Sequence, residues 1–252
     1  MSFGTPRVAE LTGALAAVRA RLARAAEAAG RPVDSVMLLP VTKFFPAGDV
    51  AVLYRLGCRA FAESRIQEAV AKIAEFNDLV DADTQAAPAR WQMVGQIQRN
   101  KVRAVAGWAE TVHSVDSTEL ATALARGTRR ALDEGRRTSR LRVLVQISLD
   151  SDTARGGVAM GDPTAVDRVC ATVAAADTLV LAGLMAVSPL GADADIAFGA
   201  LAAEHRRILV NHPEAVELSA GMSGDLEAAV RHGSTCVRVG TALMGQRPLP
   251  SP

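Results

Sequence analysis

The chain has 252 residues, of which 49% are hydrophobic and 22% charged, the balance of a folded globular protein and not of a disordered or collagen-like one. Its 28 basic and 27 acidic side chains leave a formal net charge of +1, so no overall field gathers nucleic acid or an anionic membrane surface. The three cysteines, Cys58, Cys170 and Cys236, stand far apart with no Cys-x-x-Cys pair, which argues against a disulfide scaffold or a zinc cluster and fits a reducing cytoplasm.

In chain order, Met1–Pro6 lacks the basic and then apolar character of an export leader, and no later run approaches the roughly 18 apolar residues of a membrane span. Arg7–Ala29 is rich in alanine, leucine and arginine, contains no proline, and stops at Gly30-Arg31-Pro32, a capping glycine followed by a breaker; this predicts a long helix over 7–29. Val36–Thr42 is a short, continuously apolar run of the kind that forms a strand buried on both faces. Similar runs recur at Cys58–Ala62, Trp91–Val94, Thr111–Val115, Leu141–Ile147, Leu179–Val187, Val216–Leu218 and Thr235–Val239, which makes eight strands in all. Helical patterns lie between them at Ala47–Leu56, Arg65–Phe76, Gln98–Ala106, Ser117–Glu134, Pro163–Ala176, Asp195–Val210 and Asp225–His232, and Asp81–Arg90 reads as a loop.

Alternating strands and helices imply parallel strands joined by right-handed crossovers, in an open doubly wound sheet or a closed barrel. Eight strands in about 250 residues favour the barrel, and no strand opens the Gly-x-Gly-x-x-Gly turn that would support a dinucleotide-binding open sheet. The expected architecture is α/β: a single-domain (β/α)8 TIM-type barrel over about 36–247, with the helix over 7–29 as an N-terminal addition.

Function in such barrels resides at the C-terminal ends of the strands and in the loops beyond them. At the end of the first strand stands Lys43, followed by Phe44-Phe45-Pro46. An ammonium beside aromatic rings and an apolar mouth loses hydration, which lowers its pKa toward the nucleophilic amine that forms a Schiff base; a lysine snorkelling past Phe44 into water fits the position equally well. After the seventh strand comes Ser219-Ala220-Gly221-Met222-Ser223-Gly224-Asp225, and after the eighth Gly240-Thr241. Small residues and hydroxyls in these two loops mark the recurrent phosphate site of the fold, although Ser223 could instead serve only as a helix N-cap. Arg238 alternates with Cys236 and Gly240, so one face of that strand carries an arginine toward either the barrel mouth or the helix layer; at the mouth it needs an acceptor, either a carboxylate in a buried ion pair or a ring nitrogen of a ligand held between Lys43 and the phosphate loops. His113 reads as a packed or loop-bonded histidine, His205, His212 and His232 lack metal-ligand spacing, and Gly156-Gly157 fits close approach of a ligand and a simple turn equally well.

The blocks Leu39-Pro40-Val41-Thr42-Lys43, Phe61–Glu68, Val94–Lys101, His113–Ser117, Leu184-Met185, Leu218–Ser223 and Gly233–Thr241, in this order and spacing, resemble the pyridoxal phosphate homeostasis protein family, the YggS/PROSC type. The resemblance covers nearly the whole chain from Val36 to Arg247, and the family is similar to the N-terminal barrel of alanine racemase. It implies that Lys43 carries pyridoxal 5'-phosphate (PLP) as an internal aldimine, that Ser223, Gly240 and Thr241 hold the phosphate, and that Arg238 faces the pyridine nitrogen. It also implies a monomeric protein that stores PLP or delivers it to the apo-forms of PLP-dependent enzymes, with no established turnover. Ser64 departs from the asparagine usual in relatives, and Phe44-Phe45 and Ala220 alter the lining of the pocket.

An arginine on the ring nitrogen keeps it unprotonated and weakens the ring as an electron sink. In the racemases the second base is a tyrosine from an additional domain, whereas the sole tyrosine here, Tyr54, falls late in a helix behind the first strand. Two enzyme readings stand beside the carrier: weak racemase-like PLP chemistry on amino acids, and a Schiff-base aldolase acting on a phosphorylated sugar.

Overall fold

The computed structural model describes residues 5–80, 87–150 and 156–246; Met1–Gly4, the first part of the 81–90 loop and the expected barrel end at Arg247 lie outside the described residues. The N-terminal stretch is helix α1 (Thr5–Ala28), turned off by a hydrogen bond from Arg31 N–H to Ala26 C=O. The predicted strands are β1 (Met37–Pro40), β2 (Ala60–Glu63), β3 (Arg90–Met93), β4 (Thr111–Val115), β5 (Leu141–Ser148), β7 (Leu179–Ala186), β8 (Glu217–Ser219) and β9 (Cys236–Val239). The two-residue β6 (Val158–Ala159), not expected from the sequence, pairs with the end of β5. The helices are α2 (Ala47–Arg55), α3 (Ile66–Val80), α4 (Val102–Trp108), α5 (Thr118–Asp133), α6 (Pro163–Ala175), α7 (Ala194–Leu209), α8 (Leu226–Arg231) and the short α9 (Thr241–Met244).

The strands pair in the order β1-β9-β8-β7-β5-β4-β3-β2, all parallel. The ends of this path meet in a narrow joint, where Val41 bridges Ala62 and Thr42 N–H donates to Ala62 C=O at 2.9 Å. The result is a nearly closed eight-stranded TIM-type barrel, as the alternation of elements predicts.

Period-two alternation divides each strand between two environments. Leu39, Val41, Ala60, Ala62 and Cys236 pack together in the barrel interior. Their neighbours Phe61, Val237 and Val239 face the helix layer, where Phe61 joins Tyr54, Phe76 and Trp91 in an aromatic cluster with ring centroids 5.3 to 6.1 Å apart. Each such side chain, fully buried, contributes about 1.5 to 3 kcal/mol of transfer free energy. All three cysteines are buried free thiols, and burial pushes Cys170 up to about 12 and Cys236 up to about 11, which leaves these two unreactive.

Arginines fasten α1 to the barrel. Arg7 donates to Asp49 of α2 (2.6 Å) and to the Met244 carbonyl of α9 (3.0 Å). Arg21 makes a two-pronged contact with Glu227 of α8 (2.5 and 2.6 Å) and a third bond to the Ser223 carbonyl (2.6 Å), while Arg31 donates to the carbonyls of Val230 and Ser234, both at 2.8 Å. The added helix therefore grips the segments that follow β1, β8 and β9.

Candidate functional site

Lys43 follows Leu39 and Val41 on the inward parity of β1, half-buried just beyond the end of the strand. The chain turns there: Phe45 N–H donates to Thr42 C=O at 3.1 Å, and Phe44, third in the turn, has φ 71°. A type II turn places glycine or asparagine at that position, and holding a phenylalanine in the left-handed region costs about 1 to 3 kcal/mol unless the surroundings enforce it. The Phe44 ring lies 5.8 Å from Lys43 Nζ and 4.7 Å from the Arg65 guanidinium carbon, measured to the centroid.

Behind this turn, on the helix-layer side, sits a brace that the sequence reading missed. Glu63, the last residue of β2 and wholly buried, accepts on Oε1 from Thr42 Oγ1 (2.7 Å) and from Lys72 Nζ of α3 (2.6 Å). Lys72 is 8% exposed and also donates to the Thr42 carbonyl at 2.9 Å. The second Glu63 oxygen is buried without a hydrogen-bond partner among the described residues. A signal was present: Lys72 stands three residues after Ala69 and four before Phe76, on the buried stripe of an amphipathic helix.

Arg238, in register with Leu39 of β1, points into the barrel and is 5% exposed. Its Nη1 donates to Ser219 Oγ at 2.6 Å and its Nη2 to the Ala186 carbonyl at 2.8 Å, and no carboxylate among the described residues pairs with it. Among the described residues, then, Arg238 has no buried ion pair. Burial lowers its pKa, but a guanidinium stays protonated, so an isolated cation faces the interior. Ser219 Oγ lies 3.0 Å from His113 Nδ1, whose Nε2 is 2.6 Å from Gln92 Oε1. Burial, aided by Arg238, pushes His113 down to about 3, so its imidazole is neutral at pH 7. Ser219 therefore accepts from Arg238 and passes its own hydrogen to Nδ1, leaving Nε2–H to donate to Gln92. His113 is the packed histidine expected from the sequence.

The loops after β8 and β9 are joined. Ser223 Oγ accepts from Ala242 N–H, in the first turn of α9, at 3.3 Å. Asp225 occupies the N-cap of α8 and its side chain accepts from Met222 N–H at 2.6 Å, so the reading of Ser223 as the cap of that helix does not hold. Gly221 has φ 90°, and a Cβ there would lie 2.5 Å from that of Ala229, so only glycine fits. At Gly240, by contrast, a Cβ would meet only Val41, at 3.8 Å, leaving an open cradle beside the exposed Thr241. Lys43, Arg238, Gly240, Thr241 and Ser223 gather in this way around the C-terminal ends of the adjacent strands β1, β9 and β8.

The other candidates are accounted for. His205 donates from Nε2 to the Ala215 carbonyl (2.8 Å), His232 contacts Asp195 (3.0 Å), and no metal-binding group of three or more ligands occurs among the described residues. Gly157 N–H approaches Asp116 at 3.4 Å beside β6, and Ser64 packs so tightly under residue 95 that a Cβ on Gly95 would lie 2.2 Å from its carbonyl oxygen. No helix among the described residues is long and apolar enough to cross a membrane.

Residues 14–248 match the family model described as the alanine racemase N-terminal domain. The pyridoxal phosphate homeostasis protein of Mycobacterium tuberculosis is 59% identical over 248 residues, covering 98% of this chain and 96% of that one. Among solved structures, PipY of Synechococcus elongatus with PLP bound superposes with a TM-score of 0.76 at 30% identity, over 93% of this chain and all of the other. Alanine racemase of Corynebacterium glutamicum, 17% identical, shares the fold with a TM-score of 0.64, over 94% of this chain and 62% of that one.

Proposed function

The chain belongs to the pyridoxal phosphate homeostasis protein family, and from that membership we propose that it binds PLP as a lysine aldimine on Lys43 and stores the cofactor or delivers it to apo-enzymes. The observation that carries this reading is Arg238: a buried guanidinium with no carboxylate partner among the described residues, on the strand next to the one that ends at Lys43. Such a cation fits a ligand that brings a lone pair, and a pyridine nitrogen is one. When bound, PLP supplies an aldehyde that condenses with the Lys43 amine, releasing water. Arg238 donates to the ring nitrogen, held in place by Ser219 and the Ala186 carbonyl. Ser223, Gly240 and Thr241 hold the phosphate, since the hydroxyls can donate and the Gly240 cradle lets backbone approach closely.

Storage and delivery by a monomer is favoured over turnover for two reasons. Arg238 would keep the ring nitrogen unprotonated, which weakens carbanion stabilisation. Tyr54 donates to the Ala87 carbonyl (2.8 Å) within the aromatic cluster of the helix layer, away from Lys43, so it offers no second base.

The test is borohydride reduction of PLP-loaded protein followed by peptide mapping, with the pyridoxyl group expected on Lys43. Labelling of Lys72 or Lys101 with Lys43 unmodified would refute the assignment. With PLP saturating, α-proton exchange of L- and D-amino acids into deuterated water should stay far below enzymatic rates; exchange at ordinary turnover rates, lost in Lys43→Ala, would establish the enzyme reading instead.

A further inference from the structure

The joint between β1 and β2 has thin backbone pairing, resting on the Val41–Ala62 bridge and the Thr42 N–H bond to Ala62. Side chains reinforce it there: Thr42 Oγ1 and Lys72 Nζ converge on one oxygen of Glu63, at 2.7 and 2.6 Å. The Thr42 carbonyl is the central point of the arrangement. It accepts both from Lys72 Nζ (2.9 Å) and from Phe45 N–H (3.1 Å), and the second of these bonds closes the turn that carries Lys43. Lys72 thus fixes the acceptor on which the turn is built, one residue before Lys43 and two before Phe44 at φ 71°.

As a source of stability this pair is a poor choice. Two buried charges, one with an oxygen that finds no partner, contribute little or nothing relative to apolar side chains of the same volume. What the pair delivers is geometry, because a left-handed phenylalanine persists only where its surroundings over-determine it.

We infer that Lys72, together with Glu63, is a positioning pair for Lys43: it holds the Thr42–Phe45 turn in the conformation that presents the Lys43 amine to an aldehyde ligand. This rests on the reading of Lys43 as the PLP-binding lysine. No bond is made or broken by Lys72 or Glu63; their ammonium and carboxylate stay paired while the ligand comes and goes.

Glu63→Leu combined with Lys72→Met removes both charges at nearly constant volume, and is compared with Lys72→Met alone, Lys43→Ala and the parent. PLP is titrated into each while the imine absorbance, its pH midpoint and the melting temperature are followed. The double variant is expected to melt near the parent, yet to bind PLP about tenfold or more weakly and to show a displaced pH midpoint, because the turn relaxes. Parental affinity and midpoint in the double variant would overturn the inference, leaving the pair a merely structural element. Failure of the double variant to fold would overturn it as well, since the pair would then be a requirement of the barrel itself. Lys43→Ala separates the two layers of argument. Imine absorbance that survives in it defeats the assignment of Lys43 whatever Lys72 does, whereas its loss, with a parental double variant, defeats the positioning role alone.

Discussion

Acid should weaken this barrel through one imidazole. His113 lies between Ser219 and Gln92, and burial with the nearby Arg238 cation drops it from the ordinary 6.5 to about 3. In the unfolded chain the same ring takes up a proton as the pH falls through 6.5, while the folded protein refuses it until about 3. Between those values the unfolded state binds the extra proton, so the stability gained from a neutral His113 is complete above 6.5 and is lost as the pH falls, by about 1.4 kcal/mol per unit. At pH 4.5 the loss attributable to His113 amounts to about 3 kcal/mol. Urea unfolding at pH 7.5 and 4.5, followed by the fluorescence of Trp91 and Trp108, measures it in the parent and in His113→Gln. Other groups with lowered pKa, among them His205, Asp195 and Glu227, titrate in both proteins and cancel in the comparison. His113→Gln should be the less stable protein at pH 7.5 and should close the gap at pH 4.5. Parallel losses in the two proteins would refute the account of a neutral, desolvated His113.

Replacing Ser223 and Thr241 together by alanine should weaken PLP binding by about 1.5 to 3 kcal/mol per lost charge-assisted bond, measured by calorimetric titration, with far-UV circular dichroism unchanged. Undiminished affinity in that variant would place the phosphate elsewhere. Gly221→Ala should lower stability by about 2 to 4 kcal/mol, since its Cβ would lie 2.5 Å from that of Ala229 at φ 90°; an unaltered melting curve would contradict the packing described for this loop.

The barrel was legible because its signals are local. Apolar runs of strand length, each followed by a helical pattern, need only the period of the side chains to be read, and the eight that were counted are the eight that form the barrel path. Arg238 was legible in part: its parity with Cys236 and Gly240 groups it with one face of the strand, although which face that is, and the choice between ion pair and ligand, required the register with Leu39 and the positions of Ser219 and the Ala186 carbonyl, which come from other strands. The bond from Ala242 N–H to Ser223 escaped notice because it links loops 19 residues apart in sequence. The left-handed Phe44 had no signal at all, since the residue type argues against that conformation and only the tertiary surroundings impose it. The fragment Val158–Ala159 is too short for any periodicity to reveal.

The grip of α1 on the far end of the chain bears on the order in which the protein can assemble. Arg7, Arg21 and Arg31 find their partners at Met244, Ser223 and Val230, separated by 237, 202 and 199 residues. On the ribosome, α1 can pair early with α2, through Arg7 and Asp49, but it completes its tertiary bonds only once α8 and α9 have left the exit tunnel, and until then its apolar stripe of Leu11, Leu15, Val18 and Leu22 is covered on the α2 side alone. Contacts of such long sequence separation pay their loop-closure entropy late, which makes the docking of α8 and α9 onto α1 a natural final and slow step of folding. The loops that follow β8 and β9 would reach their working shape only at that step, so a nascent chain lacking its last few dozen residues would have most of a barrel and no finished mouth.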